Sequence, residues 1–469
     1  MSSSSGLSPE YITPTFLPMS NVEIQQETKI RVAICGGGIG GLCLAVALAG
    51  HAHLDVQLYE SAGQFKEIGA GVMIWARTWR ILEQMGLATD FSKIAHSPPT
   101  GEQGIGFDYR RSDSPSEGFR FKLVEMPFLV FISDSYDMQC IRFHRAEFLD
   151  VFVNHLPPGI AHFGKRIASY SHADSARSIN LNFADGTTAS CDILIGADGI
   201  KSTIRAQMFR EAASERNDPT LLRYIEPVWT GTTAYRGLIR VQDLPRGKNQ
   251  ELHRTIVAPM MDRELTEADS HVVSYSISQG DIINVVTFAS EPQKNGTVFS
   301  GEWVVDCPQT ELLDCYAGWE PEVEDLLQCI KNPTRWAIHH LPPLPFYHRD
   351  NVVLLGDSAH AMSPHQGAGA GQAIEDAFIL AALLSRAKHS NLSKVLHAYE
   401  AIRLPMANDI MTESYHSGMM YEFNSEYGED YEMLGPAIQR QWDWIDKVSL
   451  DEEVASALSM AREKSLSKL

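Results

Sequence analysis

Closely spaced cysteine pairs are missing from this sequence. Its seven cysteines are scattered between residues 35 and 329, and no two of them form a CxxC pair. Zinc sites and the disulfide frameworks of small secreted domains both depend on cysteines at short, regular spacings. The pattern therefore predicts neither, and it is typical of free thiols in a reducing compartment.

A membrane-spanning run and a secretory signal are missing as well. The one long apolar run, residues 32–49, is interrupted by five glycines and makes a poor membrane span. Residues 1–28 begin with a serine run and contain three prolines, but they lack a cationic start followed by an apolar core. They are typical of a disordered tail and not of a signal peptide.

Positive charge is scarce. The chain has 39 Lys and Arg against 59 Asp and Glu, which gives a formal net charge of −20. Such a surface should repel nucleic acids and anionic membranes, so we expect neither as a partner. The composition, 44% hydrophobic and 21% charged, is ordinary for a globular protein, and 469 residues predict two or three domains.

Glycine, by contrast, is concentrated in loops that follow apolar strands. After a predicted strand at residues 29–35, Gly36, Gly38 and Gly41 match the pattern G-x-G-x-x-G and precede an apolar helix. In this pattern the glycines allow a tight turn, the approach of a pyrophosphate and close helix–strand packing. A second strand, residues 55–59, ends in Glu60, which is placed to bind an adenosine ribose. The stretch predicts a dinucleotide-binding βαβ unit, and a βαβ unit with an accidental carboxylate is the alternative.

A second glycine-rich loop organises the C-terminal half of the chain. Residues 351–355 predict a buried strand, Asp357 follows it, and residues 372–384 have apolar side chains at helical spacing. The loop between them offers bare backbone to a flat ligand at Gly367, Gly369 and Gly371, and Ala370 among them is a further binding candidate. Free N–H groups at the start of the helix would attract negative charge. The stretch predicts a ligand site, with a purely structural turn as the alternative.

Further candidates should reach the same place. A predicted strand at residues 191–195 leads to Asp198 and Gly199, and the carboxyl ends of strands in an open α/β sheet converge on one crevice. Gly71 and Met73 come within reach if the chain doubles back. Arg145 stands in the first turn of a predicted helix, where a cation is disfavoured, so we expect an anionic partner elsewhere. An ordinary surface arginine is the alternative for Arg145.

Residues 206–345 differ from the preceding part of the chain, because their residue pattern favours β-strands. Runs at 232–239, 271–277 and 282–288 predict an antiparallel sheet. Within these runs, Arg236 and Tyr275 are candidates to face a pocket, with cross-strand packing as the alternative.

The expected fold class is therefore α/β, with a Rossmann-like dinucleotide-binding domain, an inserted antiparallel β-sheet substrate domain and a C-terminal helical region. The expected ranges are 1–28 for the tail, 29–205 and 346–410 for the first domain, 206–345 for the insert and 411–469 for the helical region.

Four motifs resemble the single-component flavoprotein aromatic hydroxylases. They are GGGIGG at 36–41, GADGIKS at 196–202, TAYRG at 233–237 and GDSAHAMSPHQGAGAG at 356–371. Residues 144–166, 280–288 and 376–384 resemble salicylate hydroxylases in particular. The likeness runs from about residue 30 to residue 403.

This resemblance implies a noncovalently bound FAD, NADH as electron donor with NADPH as the alternative, O2 as co-substrate and a phenolic acid as the target. The implied reaction is the decarboxylative hydroxylation of salicylate to catechol. Alternatives are a hydroxylase of another hydroxybenzoate, such as a 4-hydroxybenzoate 1-hydroxylase, or of a polyketide phenol. A flavin reductase or oxidase on the same scaffold is the alternative of another class. The resemblance also allows a homodimer.

The resemblance also implies roles for the cofactor-binding residues. It assigns the adenosine ribose to Glu60, the ribityl–phosphate arm to Arg145 and a ribityl hydroxyl to Asp357. Asp198 and Gly199 resemble the motif that the family shares between FAD and the nicotinamide donor.

Other residues are implied to act nearer the chemistry. Pro364 is placed beside the oxygen-reacting carbon of the flavin. Arg236 and Tyr275 match positions that hold a substrate phenolate in related dearomatising hydroxylases, although Tyr275 departs from the salicylate hydroxylase pattern. His365 is a candidate general base by position, with a structural histidine as the alternative.

The last three residues, Ser467, Lys468 and Leu469, match the S-K-L address that the peroxisomal import receptor binds. We expect a peroxisomal location from this match, with the cytoplasm and a chance tripeptide as the alternative. Both compartments are reducing enough for unpaired cysteines.

Overall fold

The computed structural model describes residues 28–65, 70–95, 104–112, 118–126, 140–173, 178–245, 260–265 and 269–462. Apart from Thr28, the expected tail lies outside these ranges, as does the C-terminal tripeptide.

The strands are numbered in chain order. They are β1 (Ile30–Cys35), β2 (Leu54–Tyr59), β3 (Gly71–Trp75), β4 (Gly104–Arg111), β5 (Phe119–Met126), β6 (Cys140–His144), β7 (Ala161–His162), β8 (Ile167–His172), β9 (Ile179–Phe183), β10 (Thr188–Cys191), β11 (Ile193–Gly196), β12 (Val228–Arg240), β13 (Met260–Leu265), β14 (Asp269–Ile277), β15 (Ile282–Ser290), β16 (Val304–Asp306), β17 (Thr334–His340), β18 (His348–Arg349) and β19 (Val352–Leu354).

The α-helices are numbered in the same way. They are α1 (Ile39–Leu48), α2 (Ala76–Gln84), α3 (Ala88–Ile94), α4 (Arg145–His155), α5 (Thr203–Arg216), α6 (Gln309–Cys315), α7 (Pro321–Gln328), α8 (Asp357–His360), α9 (Gly369–Leu384), α10 (Leu392–Tyr421), α11 (Tyr431–Arg440) and α12 (Leu450–Arg462). Short 3-10 helices lie at Pro219–Tyr224, Val241–Asp243, Ser278–Gly280, Pro292–Lys294 and Asp443–Ile445.

A six-stranded sheet in the order β18-β19-β11-β1-β2-β7 forms the centre of the first domain. Its pairs are parallel except for β18 with β19. Strands β11 and β19 are buried along their whole length, so they are apolar throughout instead of alternating. Helices α1 and α9 pack against each other over this sheet within one continuous core. The parallel order brings the loops after β1, β11 and β19 to one edge.

The second large element is an eight-stranded sheet in the order β16-β17-β12-β15-β14-β13-β4-β5. Only β13 with β4 is parallel among its pairs. Strand β15 shows the period of two that a sheet imposes: Ile283 and Val285 pack into a core with α6 and α7, while Val286 and Phe288 do not share that core. The two faces of this sheet therefore have different environments.

The domain ranges drawn from the sequence differ from this arrangement at three places. Residue 205 falls inside α5, whose Ile204 and Phe209 are buried in the core of the first domain. Strands β4 and β5 join the eight-stranded sheet although they precede residue 206. Helix α10 runs unbroken through residue 410 and tolerates Pro405 in its interior. In each case packing between distant segments sets the boundary, which local composition does not record.

The C-terminal helices connect the two parts of the molecule. Trp442 packs against Trp75, with ring centroids 5.4 Å apart, and stacks on Phe107 of β4 at 5.9 Å. Among the described residues, no helix combines the length and the apolar character that crossing a membrane requires.

Candidate active site

A cavity of about 820 Å³ lies where the glycine-rich loops face the eight-stranded sheet. This volume is near the upper end for small-molecule sites. Apart from Gly371, every residue proposed from the sequence for cofactor or substrate lines it: Gly36, Gly38, Gly41, Glu60, Gly71, Met73, Arg145, Asp198, Gly199, Arg236, Tyr275, Asp357, Pro364, His365, Gly367, Gly369 and Ala370. The structure therefore brings together eight separate stretches of the chain.

The loop between β1 and α1 forms a cradle of bare backbone at one end of the cavity. Gly36 has φ +115°, and a β-carbon there would lie 2.0 Å from the carbonyl oxygen of Ala197. Gly38 is the N-cap of α1, where no side chain caps the helix and a β-carbon would meet nothing within 4 Å. Free N–H groups at a helix start suit a phosphate, so this cradle fits the pyrophosphate of a dinucleotide.

Glu60 directly follows β2, and its carboxylate binds the backbone of the loop that forms the cradle. Its carboxylate accepts hydrogen bonds from the N–H of Gly37 at 2.7 Å and from the N–H of Ala62 at 2.6 Å. A carboxylate offers about four lone-pair sites, so capacity remains for a ribose hydroxyl. Glu60 thus holds the glycine loop as well as facing the cavity.

Asp198 caps helix α5. One oxygen accepts the hydroxyl of Ser202 at 2.5 Å, and the other accepts the N–H groups of Thr203 at 2.8 Å and Ile204 at 3.2 Å. Burial raises the pKa of this carboxyl, although the hydrogen bond from Ser202 opposes the change. The carboxylate fixes the turn that presents Gly199, at φ +76°, to the cavity.

The loop before α9 forms the opposite wall. The carbonyl of Pro364 accepts the N–H of Gly367 at 2.9 Å, which closes a tight turn. Gly367 has φ +62°, and a β-carbon there would lie 2.3 Å from the sulfur of Met73. The turn therefore packs directly on β3, and α9 begins behind it without a side-chain cap. A flat ring lying on this loop would face the positive end of the α9 dipole.

A buried charge network lies beneath that loop. Arg403 donates to Asp376 at 2.7 Å, and Asp376 also accepts from His360 at 2.6 Å and from the N–H of Gly356 at 2.9 Å. Burial opposes ionisation of Asp376, but His360 and Arg403 outweigh it and lower its pKa to about 2. The network ties α8, α9 and α10 together below Asp357. Charged residues in the otherwise apolar sequence of α9 were the available sequence signal.

The far end of the cavity is walled by the eight-stranded sheet. Arg236 lies there half-buried, and its guanidinium is 5.0 Å from the ring centroid of Trp336. Its Nε has no hydrogen-bond acceptor among the described residues. Burial lowers the pKa of Arg236, but a guanidinium remains charged at neutral pH. A cation with a buried donor that lacks an acceptor fits an anionic ligand.

Tyr275 lies beside this cation. Burial raises the pKa of its phenol to about 12 although Arg236 opposes the change, so the hydroxyl stays neutral and can donate. The same wall is otherwise apolar: Ala234, Val273, Val286 and Phe288. A small aromatic acid would find one charged end and a dry surface for its ring.

His365 is buried between aromatic rings. Its ring centroid lies 5.1 Å from that of Phe288 and 5.3 Å from that of His271. Burial and the neighbouring His271 hold its pKa well below the usual value, so it is neutral at physiological pH. Its Nδ1 has no hydrogen-bond partner among the described residues.

Other cavity residues were not found from the sequence. Lys201 lies 3.8 Å above the ring of Trp303, which stacks on His339 at 3.6 Å. Trp336 pairs with Arg236 as described above. These residues come from three separate segments, and Lys201 alone among them lies within a motif quoted above, GADGIKS at 196–202.

Three residues outside the cavity lining could hold a metal ion. Potential ligand atoms of His348, His397 and Glu400 lie within 4.8 Å of one another. His397 and Glu400 are one turn apart on α10, and His348 comes from β18. The sequence alone does not mark this cluster, because His348 joins the pair only in the folded chain.

The FAD binding domain family matches residues 29–221 and 334–414. A salicylate hydroxylase of Pseudomonas putida is 37% identical over 441 residues, covering 92% of this chain and 95% of that protein. A 6-methylsalicylate 1-monooxygenase of Aspergillus terreus is 32% identical, covering 92% of each chain. Among solved structures, a salicylate hydroxylase substrate complex is similar with a TM-score of 0.77 and 32% identity, covering 92% of this chain and 98% of that one.

These matches span both domains and confirm the expected fold class. The family match covers the segments that build the glycine cradle and the α9 loop, which fit a dinucleotide cofactor. FAD is therefore the cofactor whose pyrophosphate the cradle would hold. The chain belongs to the FAD-dependent aromatic hydroxylases close to salicylate hydroxylase, and it is a flavoprotein aromatic monooxygenase.

Proposed function

We propose that this enzyme uses NADH and O2 to convert salicylate to catechol and CO2. The observation that carries the proposal is Arg236, a half-buried cation whose buried Nε has no acceptor among the described residues and which lines the cavity with the glycine cradle. The names of the most similar relatives supply the substrate class. The reaction balances when salicylate, NADH, O2 and two protons give catechol, NAD⁺, CO2 and water.

The protein residues hold the substrate in place for this reaction. FAD, when bound, accepts the reducing equivalents of NADH and delivers one oxygen atom of O2 to the ring. Arg236 binds the anionic edge of the phenolic acid, and the neutral hydroxyl of Tyr275 donates to it. The apolar wall keeps water from the reacting carbon. His365, being neutral, adds no positive charge next to the ring.

The test is coupled turnover by the purified holoenzyme. NADH oxidation and O2 uptake should rise sharply when salicylate is added, and catechol and CO2 should form in equal amounts. A rate of NADH oxidation that is indifferent to salicylate and to other phenolic acids would indicate a flavin reductase or oxidase instead.

A related hydroxybenzoate is the second candidate. The relative from Aspergillus terreus is named for 6-methylsalicylate, and Tyr275 departs from the salicylate hydroxylase pattern toward dearomatising relatives. Salicylate, 6-methylsalicylate and 4-hydroxybenzoate should therefore be compared for the ratio of product formed to NADH consumed. If 6-methylsalicylate or 4-hydroxybenzoate gives a higher ratio than salicylate, that acid is the assigned substrate instead.

We also propose a peroxisomal location, because the chain ends in Ser467, Lys468 and Leu469. A fluorescent protein fused to the N-terminus should become punctate in cells with peroxisomes, and removal of the tripeptide should make it diffuse. Diffuse fluorescence of the intact fusion would exclude the location.

A further inference from the structure

A second cavity, of about 410 Å³, adjoins the 820 Å³ cavity described above, which is called the flavin cavity from here on. Arg236 and Trp336 line both cavities. The backbone between Ala70 and Gly71 also separates them, because Ala70 lines the second cavity and Gly71 the first. The described part of the partition is therefore thin: one peptide and one arginine–tryptophan pair.

The partition is held by few contacts. The side-chain oxygen of Asn284 accepts the N–H of Gly71 at 3.0 Å. The Arg236 guanidinium lies over Trp336 with its carbon 5.0 Å from the ring centroid. A cation–π contact and a single hydrogen bond can both be broken at modest cost.

The second cavity offers donors to an anion. Asn284 is 1% exposed, and its side-chain Nδ2 has no hydrogen-bond acceptor among the described residues. The Nε of Arg236 is likewise buried and has no hydrogen-bond acceptor among the described residues. Groups of this kind are costly to bury without a partner, which points to an acceptor supplied by a ligand.

The charged residues that line the second cavity also favour an anionic ligand. Arg236, Arg240 and Lys331 are the cations of its described lining, and Asp243 is the only carboxylate there. This local excess of positive charge occurs in a chain whose formal net charge is −20. Apolar surface from Leu238, Ile239 and Ile330 accompanies it. A flat ligand with one negative end suits such a lining.

We propose that the second cavity is an access chamber that binds the anionic aromatic acid and passes it to the flavin cavity around Arg236. This inference rests on the proposed function, since it takes the same class of ligand. Lys331 attracts the carboxylate, Asn284 and Arg236 hold it, and Arg236 then turns with it toward Tyr275. The substrate thus keeps a cationic partner along the whole route.

Rapid-mixing measurements of salicylate binding to the oxidised FAD holoenzyme test the route. Leu238 lines only the second cavity and is 39% exposed, so Leu238→Trp should obstruct the chamber and leave the flavin cavity intact. The association and dissociation rate constants should both fall about 10-fold, with Kd nearly unchanged, because a blocked path slows both directions equally. Leu222→Trp is the matched control, since Leu222 is exposed and lines neither cavity.

A charge-reversal variant tests the proposed route independently. Lys331→Glu should lower the association rate constant about 5-fold at low ionic strength, and the difference from wild type should shrink as salt is added. Lys388→Glu, an exposed change remote in sequence from both linings, should leave it unchanged.

The outcomes separate the two proposals. If wild-type holoenzyme binds none of salicylate, 6-methylsalicylate and 4-hydroxybenzoate, the proposed function fails and the chamber fails with it. If it binds one of them but Leu238→Trp and Lys331→Glu keep wild-type rate constants, the chamber alone is wrong. A changed Kd with an unchanged association rate constant would also overturn it.

Discussion

Glu60 connects the cofactor to the loop that holds it. Because its carboxylate accepts two backbone N–H groups and also faces the cavity, Glu60→Ala should disturb the cradle as well as remove a ribose contact. Loss of a hydrogen bond to a charged group costs about 1.5–3 kcal/mol, so the Kd for FAD should rise about 10- to 100-fold. Titration of the apoprotein with FAD measures this change.

Asp357→Ala should weaken FAD binding in the same direction, since Asp357 lines the cavity. Asp55→Ala is the control for both variants, because Asp55 lies on β2 but does not line the cavity. Unchanged affinity in both Glu60→Ala and Asp357→Ala would contradict the cofactor assignment.

Arg236 should affect the substrate and not the cofactor. Arg236→Ala removes a cation from the substrate end, so KM should rise about 10- to 100-fold, or NADH oxidation should become uncoupled from hydroxylation, while FAD affinity stays at the wild-type value. Arg335→Ala is a suitable control, because Arg335 lies on the neighbouring strand and pairs with Glu311 outside the cavity lining. Wild-type KM and coupling in Arg236→Ala would mean that Arg236 is structural.

At the scale of elements, the start of α5 depends on a cap that the resemblance had assigned to ligand binding. The Asp198 carboxylate holds the N–H groups of Thr203 and Ile204, and Ser202 holds that of Arg205. Asp198→Ala should therefore lower the free energy of unfolding by about 1–2 kcal/mol, as loss of a helix cap does.

Chemical denaturation of the apoprotein is the measurement that separates the cap from cofactor binding. A structural cap stabilises the protein with or without FAD, and Ser202→Ala should show a loss of similar size. If Asp198→Ala destabilises only the FAD-bound form, the residue acts through the cofactor instead.

At the scale of the whole molecule, the Asp376 network predicts sensitivity to acid. The folded-state pKa of Asp376 is about 2, below its ordinary value of 3.8, so its contribution is present above about pH 4 and is lost as the pH falls through about 2. A shift of this size corresponds to about 2 kcal/mol. The free energy of unfolding should decrease across that window.

Asp376→Asn provides the comparison for this prediction. The variant should be less stable at neutral pH, because Arg403 is left buried without its closest carboxylate partner, and breaking a buried pair costs about 3–5 kcal/mol. It should also lose part of the pH dependence between pH 4 and pH 2. Parallel stability curves for the variant and the wild type would show that Asp376 does not titrate in this window.

Elements whose signals are local can be predicted from the sequence alone. The strand–glycine–helix stretch at residues 30–48 and the glycine loop before α9 follow from turn geometry and periodicity, which act over a few residues. Alternation along β12 and β14 likewise allowed Arg236 and Tyr275 to face a pocket, since a strand sends alternate side chains to opposite faces. The family resemblance then connected these stretches to one cofactor and one reaction class.

Packing of the folded chain sets which of these residues are neighbours and which other residues join them. The pairing of Arg236 with Trp336 depends on a contact between segments whose spacing along the chain carries no signal. The same is true of the second cavity, whose lining comes from four separate segments. Burial sets the pKa values of Tyr275 and His365, and burial is a property of the packed chain and not of any one stretch.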